Sequence, residues 1–235
     1  MSSLTHTLLP MLLQGLRLTI LIAVLGIVFA FAIGSVAGYA LQSKSKIARG
    51  VSFIYIWIIR GTPLVVQALY IYYVLPLFMP FLELSSMAAG VVVISINSGA
   101  FIAEIVRGAL QGVDGGQKET GASLGMTNFQ ILIHLVIPPA FRAVIPALFN
   151  QFIIALKDTS LLTIIVVNEM TQMAMRYSSL NFRYIEAYTA LAVFYLVLIS
   201  VLVLIQKFVE RKLGVNAPVK PKLKNLTAKL KLKAK

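Results

Sequence analysis

Cysteine is absent from all 235 residues, which excludes a disulfide framework, a thiolate metal site and a catalytic thiol. Histidine occurs only as His6 and His134, far apart in the chain and without metal-ligand company, so each reads as an isolated polar group near a membrane surface. The sequence contains no G-x-x-x-x-G-K-[ST] phosphate loop and not one Gly-Lys dipeptide, so it builds no nucleotide site of that kind. Charge is scarce as well: 12% of residues are charged against 59% hydrophobic, and the mean hydropathy is +0.88. A soluble globular domain does not have this balance, and a membrane protein does.

The formal net charge of +13 would point to nucleic acid in a soluble protein. Here the positive residues gather at the ends of apolar stretches and in the C-terminal tail, a pattern of membrane topology that leaves no case for nucleic-acid binding. The first apolar stretch is long and continuous, without a short core and a small-residue cleavage site, so it reads as a retained span.

A bilayer core about 30 Å thick needs about 20 helical residues to cross it. The spacing of apolar residues predicts an all-α membrane protein with about five transmembrane helices: residues 18–40, 51–78 interrupted by Arg60, 84–111, 143–167 interrupted by Lys157 and Asp158, and 187–206. An odd number of spans puts the termini on opposite sides. Placing the C terminus inside gathers Lys44, Lys46, Arg49, Lys118, Arg142 and the ten Lys and Arg from Lys207 onward in the cytoplasm, with Arg176 and Arg183 in an external segment. The expected orientation is N terminus outside and C terminus inside. Residues 1–214 form the expected transmembrane domain. The basic tail 215–235, with Pro218, Pro221 and a lysine-rich repeat, is expected to be disordered and drawn to anionic lipid, although a plain topology signal explains its lysines equally well.

Ionisable groups inside spans are costly and face protein or a water-filled path. Arg60, Glu104 with Arg107, and Lys157 with Asp158 are such groups. Glu104 and Arg107 are three residues apart, as a pair along one helix face would be. Asn97, Phe101, Glu104 and Gly108 share a face at helical spacing and could line a path; a structural ion pair is the other reading. Gln151 and Asp158, seven apart, share a face of the fourth span, with Thr159 and Ser160 directly after. A carboxylate at mid-membrane could meet a substrate ammonium group while hydroxyls and backbone amides meet a carboxylate; alternatively Lys157 and Asp158 neutralise neighbours in the bundle.

Gly34 and Gly38 make a small-xxx-small pair suited to close helix packing. Gly61, Thr62 and Pro63, after Arg60, predict a break in the second span, because proline lacks a backbone donor and disfavours helix in the residue before it. Between the third and fourth spans, residues 117–133 read as a short helical run containing Gly121 and Gly125, followed by a helix-breaking site at Pro138 and Pro139. It reads as a docking element on the membrane surface, where glycine would let another protein approach closely; a simple turn explains the glycines too.

The run Glu119, Thr120, Gly121, Ala122, Ser123, Leu124, Gly125, then Ile137, Pro138, Pro139, Ala140 and Arg142, resembles the cytoplasmic signature of ABC importer permeases. That signature is Glu-Ala-Ala, a glycine four residues on, then Leu-Pro. Thr120 and Gly121 stand in place of its alanines and Ile137 in place of its leucine. Arg60-Gly61-Thr62-Pro63-Leu64, the stretch from Asn97 to Gly108, Lys157-Asp158-Thr159-Ser160-Leu161, and Gly15 with Thr19 resemble the polar amino acid branch, especially its glutamine permeases.

The resemblance implies a bacterial inner-membrane subunit of an ATP-driven amino acid importer, with residues 113–142 as the coupling segment. It implies a dimer of this chain with itself or a close relative, two ATPase subunits that bind ATP and Mg, and an external solute-binding protein. This chain would bind no cofactor itself and catalyse nothing. The rival reading is an ion-coupled secondary transporter using Glu104 and Asp158, weakened by the little room that five spans leave for internal repeats.

Overall fold

The protein is described here from a computed structural model covering residues 4–213. Expectations for the tail at 215–235 lie outside the described residues. Among the described residues the principal helical stretches are α1 (Leu9–Ala40), α2 (Lys46–Arg60), α3 (Leu64–Phe78), α4 (Ser86–Gln111), α5 (Gly115–Ser123), α6 (Asn128–Ile165), α7 (Met170–Asn181) and α8 (Tyr184–Leu213). Four of these, α1, α4, α6 and α8, are individually long and apolar enough to cross a membrane, and α2 with α3, bent by 106°, is apolar enough to count as a fifth when taken as one broken span. This is the all-helical, five-span arrangement expected from composition, with the first, fourth and fifth spans longer than their apolar cores alone indicated.

Small residues bring α1 onto α4. Gly15, Thr19, Ala23, Gly26, Ala30, Gly34, Ala37 and Gly38 are buried along one side of α1, while Val28, Phe29 and Val36 on the other side are exposed. A Cβ on Gly34 would lie 2.7 Å from the Gly99 carbonyl oxygen, and one on Gly38 would lie 2.5 Å from that of Ala103. Backbone therefore meets backbone, and the expected packing role of Gly34 and Gly38 is what the structure has. Residue numbers rise together along the contact, from Gly26 beside Ile94 to Gly38 beside Val106, so α1 and α4 run parallel. The bent pair of α2 and α3 between them must return the chain across.

Three π turns share one cause. Leu4–Leu8, Tyr70–Val74 and Leu132–Val136 each end two residues before a proline: Pro10, Pro76 and Pro138. A proline offers no N–H and clashes with the carbonyl one turn back; widening that turn relieves the clash without breaking the helix. Pro138 and Pro139 consequently do not break the chain as the sequence led us to expect, and α6 runs through them.

The run at 117–133 is likewise two elements. Asp114 caps α5 by accepting from the Gly116 N–H at 3.1 Å. Gly125 ends it at φ +74°, where only glycine is free of strain, with its N–H donating to the Ala122 carbonyl. A capping box between Thr127 and Gln130 then starts α6.

The core lies where α1, α3, α4 and the end of α6 meet, around Ile22, Ala68, Val93, Ile94 and Leu162. A second cluster, Leu8, Leu12, Ala174, Tyr177 and Ala187, ties α7 and the start of α8 to α1. Past Ala187, α8 buries no residue fully, so it is the most peripheral of the spans.

Candidate translocation path

The break between α2 and α3 is built from the α2 end upward. Gly61 takes the position after Arg60 and Pro63 starts α3, which leaves carbonyls at the end of α2 without helical donors. The buried Gln67 meets this need: its Nε2 is shared among the Ile59 carbonyl at 2.8 Å, the Thr62 carbonyl at 3.0 Å and Thr62 Oγ1 at 3.0 Å. Thr62 Oγ1 itself donates to the Ile58 carbonyl. Gln67 Oε1 accepts from Asn97 Nδ2 at 3.0 Å, which fastens the break to the middle of α4. The next residue, Ser98, accepts from Gln151 Nε2 at 3.3 Å and ties α4 to α6 on another side. Asn97 and Ser98 thus join three segments through buried amides, each with a partner.

About two turns further along α4, Glu104 Oε2 accepts from Arg107 Nη2 at 2.6 Å and Nε at 2.9 Å, and Arg107 Nη1 donates to Gln111. The three-residue spacing predicted this pair. The end of α2 adds Arg60, whose Nη1 stands 3.8 Å from Glu104 Oε1 and whose guanidinium carbon stands 5.5 Å from the Phe101 ring centre. Its side chain is 47% exposed, against 28% for Glu104. Arg60, Gly61 and Glu104 line a cavity of about 370 Å³ with Phe53, Ile56, Trp57 and Leu41. A cluster with two guanidiniums and one carboxylate beside aromatic walls can receive an anionic group.

The Asp158 motif sits elsewhere. Asp158 ends the α-helical part of α6, half-buried, and has no hydrogen bond or salt bridge to any described residue. Thr159 is buried with Oγ1 on the Leu156 carbonyl, and Ser160 Oγ is on the Lys157 carbonyl, so both hydroxyls donate to their own chain. No described hydrogen bond or ion pair joins this motif to Arg60 and Glu104.

Between residues 113 and 142, Glu119, Thr120, Pro138 and Arg142 are exposed, as are Leu124 and Phe129 at 75% and 70%. Thr120 Oγ1 donates to the Gly116 carbonyl. Gly121 faces inward: a Cβ there would lie 2.7 Å from Leu135 Cδ1 and 2.9 Å from Ile131 Cγ1. Of the two glycines, Gly121 serves packing of α5 on α6, and Gly125 serves the turn.

Reading the sequence did not single out Gln67, Ser98, Glu169 or Tyr195. Glu169 is fully buried at the start of α7, where its carboxylate accepts from the Thr171 and Gln172 N–H groups at 2.8 Å each and from Tyr195 Oη at 3.2 Å. Burial pushes its carboxyl above the usual range, against the pull of those two backbone donors. The adjacent Met170 N–H donates to Thr19 Oγ1, and Gly15 lies against the same backbone, which gives both α1 residues a packing role.

A membrane bundle with a broken second passage and a polar cluster beside it defines a class of transport subunit. The chain belongs to the family described as binding-protein-dependent transport system inner membrane component, which it matches over residues 30–215. It is 41% identical over 206 residues to the glutamine transport system permease protein of Escherichia coli strain K12, covering 88% of this chain and 94% of that one. The arginine transport system permease protein of Bacillus subtilis strain 168 is 31% identical, with 88% and 94% covered. Among solved structures, an amino acid ABC transporter crystallised with histidines superposes with a TM-score of 0.83 at 34% identity, over 90% of this chain and 97% of that one. A methionine ABC transporter at 18% identity and TM-score 0.75 shares the fold. The chain is a permease subunit of the bacterial inner membrane, a transport protein and not a catalyst; the secondary-carrier reading finds no support in this company.

Proposed function

We propose that this chain, paired with a second copy or a paralogous permease, carries a polar amino acid, glutamine first among the candidates, received from an external binding protein and driven by a pair of ATPase subunits. ATP and Mg belong to those partners. The observation that carries the choice of cargo is the 41% identity to a glutamine permease across nearly the whole chain. The coupling segment, residues 113–142, which holds α5 and the start of α6, is the docking element, through exposed Glu119, Thr120, Leu124 and Arg142. The side bearing it faces the cytoplasm, which leaves the N terminus outside.

Within the path, Arg60 meets the substrate carboxylate from the cavity beside Trp57. Glu104 is held by Arg107 and sets the position of Arg60 instead of meeting cargo. Asp158, which has no salt bridge to a described residue, supplies the carboxylate for the substrate ammonium group. Asn97 and Gln151, being tied to Gln67 and Ser98, hold the path's wall.

The test is Asp158→Asn in vesicles carrying the full complex. Loss of a charged hydrogen bond to substrate, about 1.5–3 kcal/mol, lowers the rate at limiting substrate on the order of tenfold or more. The thermal midpoint of the purified subunit stays unchanged, because no described partner is lost. Equal loss of stability and uptake would assign Asp158 to bundle packing.

A further inference from the structure

Two cavities meet at the ends of α1, α4 and α5. One, of about 360 Å³, is a slot walled by Phe31, Ser35, Val106, Ile137, Phe141 and Val144. The other, of about 270 Å³, is bordered by Gln42, Lys118, Ala122 and Asn128. They share Tyr39, Leu110 and Leu132, so an apolar slot adjoins a chamber that carries Gln42, Lys118 and Asn128 among apolar walls, at one boundary of the bundle. Each lies near or within the size range of ligand sites, about 300–1,000 Å³.

The walls dictate the occupant. The slot offers only Ser35 and the Tyr39 hydroxyl as side-chain polar groups, so it suits hydrocarbon. The chamber holds Lys118, which has no hydrogen bond or salt bridge to any described residue. The acids of the same helix do not line it: Asp114 is occupied in capping α5, and Glu119 stands outside. Asn128 and Gln42 add donors at the rim, where Gln42 Nε2 reaches the Arg107 carbonyl at a long 3.5 Å.

We propose that this paired cavity binds one anionic glycerophospholipid, its acyl chain in the slot and its phosphate at Lys118. The lipid fills the angle between α5 and the bundle, and thereby sets how firmly α5 is held. A basic group near an anionic headgroup attracts it, and the adjoining hydrocarbon selects a lipid over a free anion. The proposal rests on the reading that this end of the bundle faces the cytoplasm.

Thermal unfolding of the purified full chain in neutral detergent tests it, with phosphatidylglycerol against phosphatidylcholine of the same acyl chains. Phosphatidylglycerol should raise the midpoint more. Lys118→Gln should remove at least half of that excess while leaving the phosphatidylcholine midpoint alone, and Ser35→Phe, which fills the slot, should reduce the shift from both lipids. Glycerol phosphate, lacking acyl chains, should give no shift.

Equal shifts from both lipids, a full shift from glycerol phosphate, or an excess that survives Lys118→Gln would each overturn the proposal. The last result would assign the effect to the lysines beyond Gly214, which every variant keeps. Should Lys118→Gln not fold, phosphatidylglycerol with a photoreactive acyl chain decides on the unaltered protein. Adducts within residues 132–144 support the site, and adducts confined elsewhere refute it. None of these readouts involves ATP or uptake, so failure here and failure of the importer reading are separate results.

Discussion

Removing the Gln67 side chain would leave the Ile59 and Thr62 carbonyls and the Asn97 amide without the partners that hold the bend. Each buried polar group left unsatisfied costs about 1–3 kcal/mol, so Gln67→Ala should lower the melting midpoint clearly and loosen α2 against α4. Hydrogen exchange at residues 59–68 would register the second effect; unchanged protection there would contradict it. Glu169 gives a prediction in pH. Its folded-state value is raised above 4.5 by burial, so the stability it contributes is full below that value and is lost as pH rises through the folded value. Melting midpoints should therefore fall across that window, and Glu169→Gln should flatten the fall even though it weakens the cap on α7. The Glu104 and Arg107 pair was legible from a spacing of three. Gln67 and Glu169 were not, because their partners lie across a bend and on another helix, which no local pattern records.

At the scale of elements, α5 separates two uses of glycine that look alike in sequence. Gly121 is an inward packing position and Gly125 a left-handed turn, so the exposed side chains around them are those of Glu119, Thr120, Leu124 and Phe129. Glu119→Lys should abolish co-purification with the ATPase subunit while the permease keeps its melting midpoint, since Glu119 is exposed and its side chain has no hydrogen bond or salt bridge to a described residue. Binding at normal affinity would remove Glu119 from the docking surface. Hydrophobic runs and the Gly34 and Gly38 pair were enough to read the spans and the first helix contact. The prolines misled, because a proline's consequence depends on whether the turn before it can widen. At Val136 it does, whereas at Pro63 the preceding Arg60-Gly61-Thr62 ends the helix outright.

Across the whole molecule, composition alone was enough to read a membrane bundle, and the quoted motifs were enough to read the transporter family. On the proposal made above, the single chain holds half of the path. Arg60 and its cavity open at the surface, and Asp158 neither lines that cavity nor pairs with Arg60, an arrangement that a second permease would complete. Specificity among amino acids would then come from a few polar groups contributed by two chains, which is why one sequence names the cargo class more firmly than the cargo.

The most direct measurement is uptake of labelled glutamine, arginine, histidine and glutamate into vesicles carrying this chain with its ATPase and binding protein, with and without ATP. The account predicts accumulation of glutamine above the others, only when ATP and the ATPase are both present. Uptake that persists without the ATPase would contradict it.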